Sequence, residues 1–74
     1  MLVHIRENQN SWQTITVQSE KQAISKIKEQ YANAIVGSWE TDWDGLSPRG
    51  KFKLVYANRK ARDGKSRPIA RIRK

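Results

Sequence analysis

The chain has no cysteine. Disulfides and thiolate metal sites are therefore excluded, and a domain of 74 residues must rely on packing and hydrogen bonds. A chain of this size buries only about 60% of the surface its unfolded form exposes, so the core is small. Histidine is almost absent too. His4 is the only one, and with no thiol to pair with it, a Cys–His nucleophile is ruled out. No apolar run approaches the roughly 18 residues that span a bilayer. The opening Met1-Leu2-Val3-His4-Ile5-Arg6 lacks the apolar stretch of a signal peptide. These absences lead to the expectation of one soluble, cytoplasmic domain over residues 1–74, with no membrane partner and no cofactor. Low hydropathy and high charge also fit disorder, but three Trp, two Tyr and clear periodicities argue for a folded chain.

What the chain has is a divided charge. Residues 49–74 hold eleven basic residues against the single acid Asp63, a net +10, whereas residues 1–48 hold four basic residues against six acids, a net −2. Excess charge concentrated in one segment gives the folded protein a basic side, and such a side suits a polyanion.

Hydrophobic periodicity supplies the elements. Val3 and Ile5 alternate with His4 and Arg6, and Trp12 to Val17 alternates again, both with the period of a half-buried strand. The polar cluster Glu7–Ser11 between them predicts a hairpin with Val3, Ile5, Ile15 and Val17 inward and His4 outward. Ser19 and Gln22 have capping-box spacing. Ile24, Ile27, Tyr31 and Ile35 then recur at helical intervals, with Asn33 as a plausible stop. A third strand is expected over Ala34 to Trp39, with Gly37 weakening it. Residues 41–50 read as a ten-residue loop, Lys51 to Arg59 as a fourth strand and Arg67 to Arg73 as a fifth. Pro68 cannot donate to a ladder, which predicts an edge position for the last strand. The fold class is α+β, in the order β-β-α-β-β-β, with one helix packed on a mostly antiparallel sheet of up to five strands.

The Asp63-Gly64 pair suits a two-residue type I′ turn, making about 51–73 a basic C-terminal β-hairpin. Facing residues would then have numbers that sum to 127. One side of it carries Lys53, Val55, Ala57, Pro68, Ala70 and Ile72; the other carries Phe52, Leu54, Tyr56, Asn58, Ile69, Arg71 and Arg73. Burying the first side leaves aromatics interleaved with guanidinium groups on an outer surface, the arrangement on which bases stack. Burying the second places three large apolar residues in the core, which is the commoner outcome and the expectation here. Either choice leaves Arg59, Lys60, Arg62, Lys65 and Arg67 in water at the hairpin tip.

Other patterns carry less. Residues 49–56 contain a basic residue, a glycine and aromatics, but Lys51 and Lys53 stand where the RNA-recognition-motif strand needs rings, and the chain offers one helix where that fold needs two. Glu40, Asp42 and Asp44 ahead of Gly45 have the spacing of a calcium-loop start, but Glu40 is the last glutamate, so the closing bidentate ligand is missing. A solvated acidic loop is expected and no metal site is assigned. Tyr56, Arg71 and His4 are the residues a metal-free ribonuclease would use, but no spacing supports that chemistry, so no catalytic residue is assigned. Trp43, between Asp42 and Asp44, is the indole expected to be exposed.

The functional expectation is a small, non-catalytic nucleic-acid-binding protein, acting on DNA or RNA, that contacts phosphates through Arg49, Lys51, Lys53, Arg59, Lys60, Arg62, Lys65, Arg67, Arg71 and Arg73. Six or more such contacts would lower affinity about 10³-fold or more between 50 and 200 mM salt. The alternative is an inhibitor or adaptor of the anti-CRISPR-like kind carried by phages and mobile elements. It would grip a host nucleoprotein complex by protein contact, with Trp43 and Tyr56 as anchors.

Overall fold

The computed structural model describes residues 1–8, 10–64 and 66–74. Strands β1 (Leu2–Asn8) and β2 (Ser11–Thr16) form the expected N-terminal hairpin, with Val3 opposite Ile15 and His4 opposite Thr14. Asn8 closes its turn by accepting hydrogen bonds through Oδ1 from the Asn10 and Ser11 amides at 2.9 and 3.1 Å. Helix α1 (Glu20–Gln30) follows. Its cap matches the sequence pattern: Ser19 Oγ accepts from the Gln22 amide at 3.2 Å, and Gln22 Oε1 accepts from the Gln18 amide at 2.8 Å. The Tyr31 amide donates to the Ile27 carbonyl and closes the last turn, so the helix ends before Asn33 and Ile35 belongs to a strand.

The rest of the chain is β3 (Ile35–Val36), β4 (Glu40–Asp44), β5 (Ser47–Tyr56), α2 (Arg59–Asp63) and β6 (Ala70–Arg73). The fold is α+β, with one main helix on an antiparallel six-stranded sheet. Its order is β2-β1-β6-β5-β3, with β4 also paired to β5. The last strand is thus interior, between β1 and β5, not at the edge. Pro68 does not forbid this, because it precedes the ladder and the Ile69 amide already bonds to the Val55 carbonyl at 2.8 Å.

Four further expectations are corrected. Residues 41–50 are not a loop: Glu40–Asp44 pairs with β5, and Gly45-Leu46 connects them with Gly45 at φ 64°. A register shift between Asp42 and Trp43 leaves Arg49 without an opposite residue and breaks the period-two pattern that would have revealed this strand. The fourth strand ends at Tyr56 instead of Arg59, because Asn58 caps α2 through Oδ1 to the Ala61 amide at 2.7 Å. Asp63-Gly64 is the end of that short helix and not a type I′ turn; Gly64 lies at φ −84° and its amide bonds to the Lys60 carbonyl at 2.8 Å. The third strand shrinks to two residues, and Gly37 follows it where an added Cβ would lie 3.1 Å from the Leu54 carbonyl oxygen.

β5 and β6 still pair antiparallel. Phe52 faces Arg73, Lys53 faces Ile72, Leu54 faces Arg71 and Val55 faces Ala70. Each pair sums to 125, two less than a two-residue turn requires. A slip of two keeps every side chain of the paired strands on its face, so within β5 and β6 the two predicted sides survive the wrong turn; Ile69, just before β6, is instead buried with the core. The choice between them is the reverse of the expectation. Val55, Ala70 and Ile72 are fully buried beneath α1, packed with Val3, Ile5, Ala23 and Ile27. Phe52, Leu54 and Tyr56 are only partly covered and lie on the opposite face. Small residues let the helix approach the sheet closely, and a single 11-residue helix covers only one face.

Candidate nucleic-acid interface

Residues directly opposed across an antiparallel sheet share a face, so the ladder registers define the uncovered one. One row runs Thr16, Leu2, Arg73, Phe52, Glu40 across five strands; the next runs Thr14, His4, Arg71, Leu54. Arg6 and Trp12 begin a third. Alternation in β1, β2, β5 and β6 thus converts scattered Arg and aromatic residues into one surface. An open concavity of about 560 Å³ lies on it, lined by Arg6, Trp12, Arg67, Arg71 and Arg73 together with His4 and Leu54.

The electrostatics of this surface are lopsided. Arg6, Arg67 and Arg71 make no ion pair among the described residues. The Arg6 guanidinium carbon lies 5.1 Å from the centre of the Trp12 ring, and that of Arg71 lies 5.0 Å from the Phe52 ring. Stacking of this kind holds each guanidinium flat while its edge donors stay available. The Arg6 Nε is buried with no hydrogen-bond partner among the described residues. Arg73 alone is neutralised: its Nη2 donates to Asp42 Oδ2 at 2.7 Å, and Arg49 Nη2 shares the same oxygen at 3.3 Å. His4 Nδ1 stands 3.1 Å from Thr14 Oγ1, on the outer side of β1 as expected.

The ten basic residues expected to contact phosphate do not form one surface. Arg67, Arg71 and Arg73 meet in the concavity. Arg49 is held by Asp42. Lys53 is on the helix-covered side, away from the concavity, ion-paired with Glu20 and 4.8 Å from the Trp39 ring centre, so its charge is engaged in joining α1 to the sheet. Lys51 is exposed and pairs opposite Thr41, on that same side. Arg59, Lys60 and Arg62 are exposed on α2, where Arg62 pairs with Asp63 at 3.2 Å. Lys65 lies outside the described residues. A single protruding basic tip is therefore replaced by two clusters, one on α2 and one in the sheet concavity.

Of the two residues proposed for protein contact, Trp43 is 59% exposed, on β4 and not in a loop. Tyr56 is half-buried at the end of β5. The sequence reading missed Arg6 and Trp12. Their signal was present, since His4 and Arg6 alternate outward from Val3 and Ile5, and Trp12 alternates with Ile15 and Val17. Neither lies in the basic segment, and only the β1–β6 pairing brings them to it.

Among the described residues no group of three or more His, Asp or Glu is placed to hold a metal ion. Among the described residues, no helix is long and apolar enough to cross a membrane. Comparison with known protein families, curated proteins and solved structures finds no match for this chain.

Proposed function

We propose that this protein binds single-stranded nucleic acid across the open face of its sheet, by a non-catalytic mechanism and in the cytoplasm. The observation that carries this reading is the convergence of Arg6, Arg67, Arg71 and Arg73 with Trp12 on one uncovered concavity. Guanidinium groups there would meet phosphate oxygens as bidentate partners. Bases would stack on the exposed part of Trp12, which is 45% exposed, and on the guanidinium planes that Arg6 and Arg71 lay over Trp12 and Phe52. Rings lying on a sheet reach bases only when those are unstacked, as in a single strand; a duplex presents its phosphates and hides its base faces. Base–aromatic stacking contributes roughly 1–3 kcal/mol per base. The exposed cations of α2, Arg59, Lys60 and Arg62, would add long-range attraction and a faster encounter.

The test is a titration of labelled single-stranded DNA, single-stranded RNA and duplex DNA by fluorescence anisotropy. Trp12→Ala should weaken single-strand binding by about 5- to 150-fold, the ratio that one lost stacking contact implies, and leave duplex binding nearly unchanged. Equal loss on both substrates, or none, overturns the reading.

A second reading has one observation in its favour. Trp43 and Leu46, 59% and 97% exposed, sit together at the end of the β4–β5 ribbon, away from the basic concavity. An inhibitor that grips a nucleoprotein complex would use such a tip as its protein anchor. Trp43→Ala should then abolish capture of that complex while sparing free oligonucleotide binding.

A further inference from the structure

The two edges of the sheet are protected very differently. On one side β3 is two residues long, and β4 carries Glu40, Asp42, Asp44 and a register shift, features that discourage further pairing. On the other side β2 reads Ser-Trp-Gln-Thr-Ile-Thr: six residues with no charge, no proline and no glycine, in a chain of net charge +8. Its residues have strong β preference, and among the described residues nothing pairs with its outer edge.

The hydrogen-bond phase of that edge follows from one bond. The Val17 amide donates to the Met1 carbonyl at 2.9 Å. Bonded and non-bonded pairs alternate along an antiparallel ladder, so Ile15–Val3 and Gln13–Ile5 are also bonded pairs. The amides and carbonyls of Trp12, Thr14 and Thr16 therefore point away from β1, toward open space.

We infer that β2 is a homodimer interface, pairing antiparallel with β2 of a second copy about a two-fold axis at Thr14. In this register Trp12 meets Thr16 of the second copy, Thr14 meets its own equivalent, and Thr16 meets Trp12. All three outward-facing residues fall in bonded pairs, giving about six backbone hydrogen bonds. Gln13 faces Ile15 across the seam on the helix side, and no charged side chain lies on either strand. The arrangement is self-complementary, as a two-fold interface must be. It also continues the open face, because Trp12, Thr14 and Thr16 all belong to it. The second copy is the occupant because this register places every outward amide and carbonyl of β2 in a bonded pair and sets no charged side chain opposite another, in a chain otherwise rich in cations. Both copies carry +8, so their repulsion opposes assembly and salt should strengthen it.

Sedimentation of the full chain at rising concentration, in low salt and in about 0.5 M salt where the Debye length falls to about 4 Å, provides the test. The wild type should approach twice the monomer mass, at lower concentration in the high salt. Thr14→Pro removes an outward amide without breaking a bond to β1, and Thr14→Lys sets like charges directly opposite one another. Both should be monomeric, and Thr14→Lys answers the question if the proline variant fails to fold. Because the chain has no cysteine, Thr14→Cys under mild oxidation should yield a covalent dimer much faster than Ser47→Cys at the other end of the sheet. A wild type that stays monomeric, Thr14 variants that remain dimeric, or equal crosslinking of the two cysteine variants would each overturn the inference. The first of these would leave the edge for a strand of another protein.

Discussion

If the proposed single-strand binding holds, its salt dependence should separate the sheet face from the rest of the basic surface. Four arginines line the concavity: Arg6, Arg67, Arg71 and Arg73. Each phosphate neutralised contributes about −0.7 to the slope of log K against log salt for a single strand. Arg73 is already held by Asp42, so the three unpaired arginines give a slope near −2.1, or about an 18-fold loss of affinity between 50 and 200 mM salt. If Arg59, Lys60 and Arg62 of α2 were equal partners, six contacts would give a slope near −4.2 and a loss of roughly 340-fold. Arg71 is the residue to perturb, because it is exposed, forms no ion pair among the described residues and only stacks on Phe52. Arg71→Gln should flatten the slope by about 0.7 and weaken binding on every sequence alike. The combined substitution of Arg59, Lys60 and Arg62 by Gln should change the slope little. Anisotropy titrations at four salt concentrations on wild type and both variants measure these quantities. A slope unmoved by Arg71→Gln, or flattened by about 2 in the α2 variant, would refute the placement of the contact on the sheet face.

Two more expectations follow from the packing and the ion pairs. Ile72 is fully buried while Leu54 on the neighbouring strand is only partly covered, so Ile72→Ala should cost about 2–5 kcal/mol and Leu54→Ala distinctly less. Urea unfolding of the two variants checks which face is the core. Asp42 binds both Arg49 and Arg73, and Asp42→Asn should release both guanidinium groups and tighten oligonucleotide binding. The gain should be up to about 5-fold, the scale set by a surface pair of about 0–1 kcal/mol, and the same anisotropy assay reads it.

The first 36 residues were largely legible because their signals are local. Period-two alternation set the faces of β1 and β2, and the spacing of Ser19 and Gln22 set the helix start. Residues 37–69 were misread because competing local signals share the same residues. Asp63-Gly64 fits a hairpin turn and a helix end equally well, and Asn58 fits a strand end or a cap. The three residues of Asn58-Arg59-Lys60 reveal a helix only once the following alanine amide is seen to reach the Asn58 side chain. Arg49, unopposed at the β4–β5 register shift, likewise hid β4 and the first four residues of β5 inside an apparent loop.

What the sequence alone determined is the set of alternations: which residues share a side of each strand, and that Arg71 and Arg73 share theirs with Phe52 and Leu54. Alternation is a property of the backbone and survives even a two-residue slip in pairing. What only the tertiary structure decided is which of those sides is covered and which strands adjoin. Both depend on one helix choosing the face with the smaller side chains, and on β6 entering between β1 and β5. That insertion sets Arg6 and Trp12 from the start of the chain beside Arg71 and Arg73 from its end, a neighbourhood that no local pattern encodes.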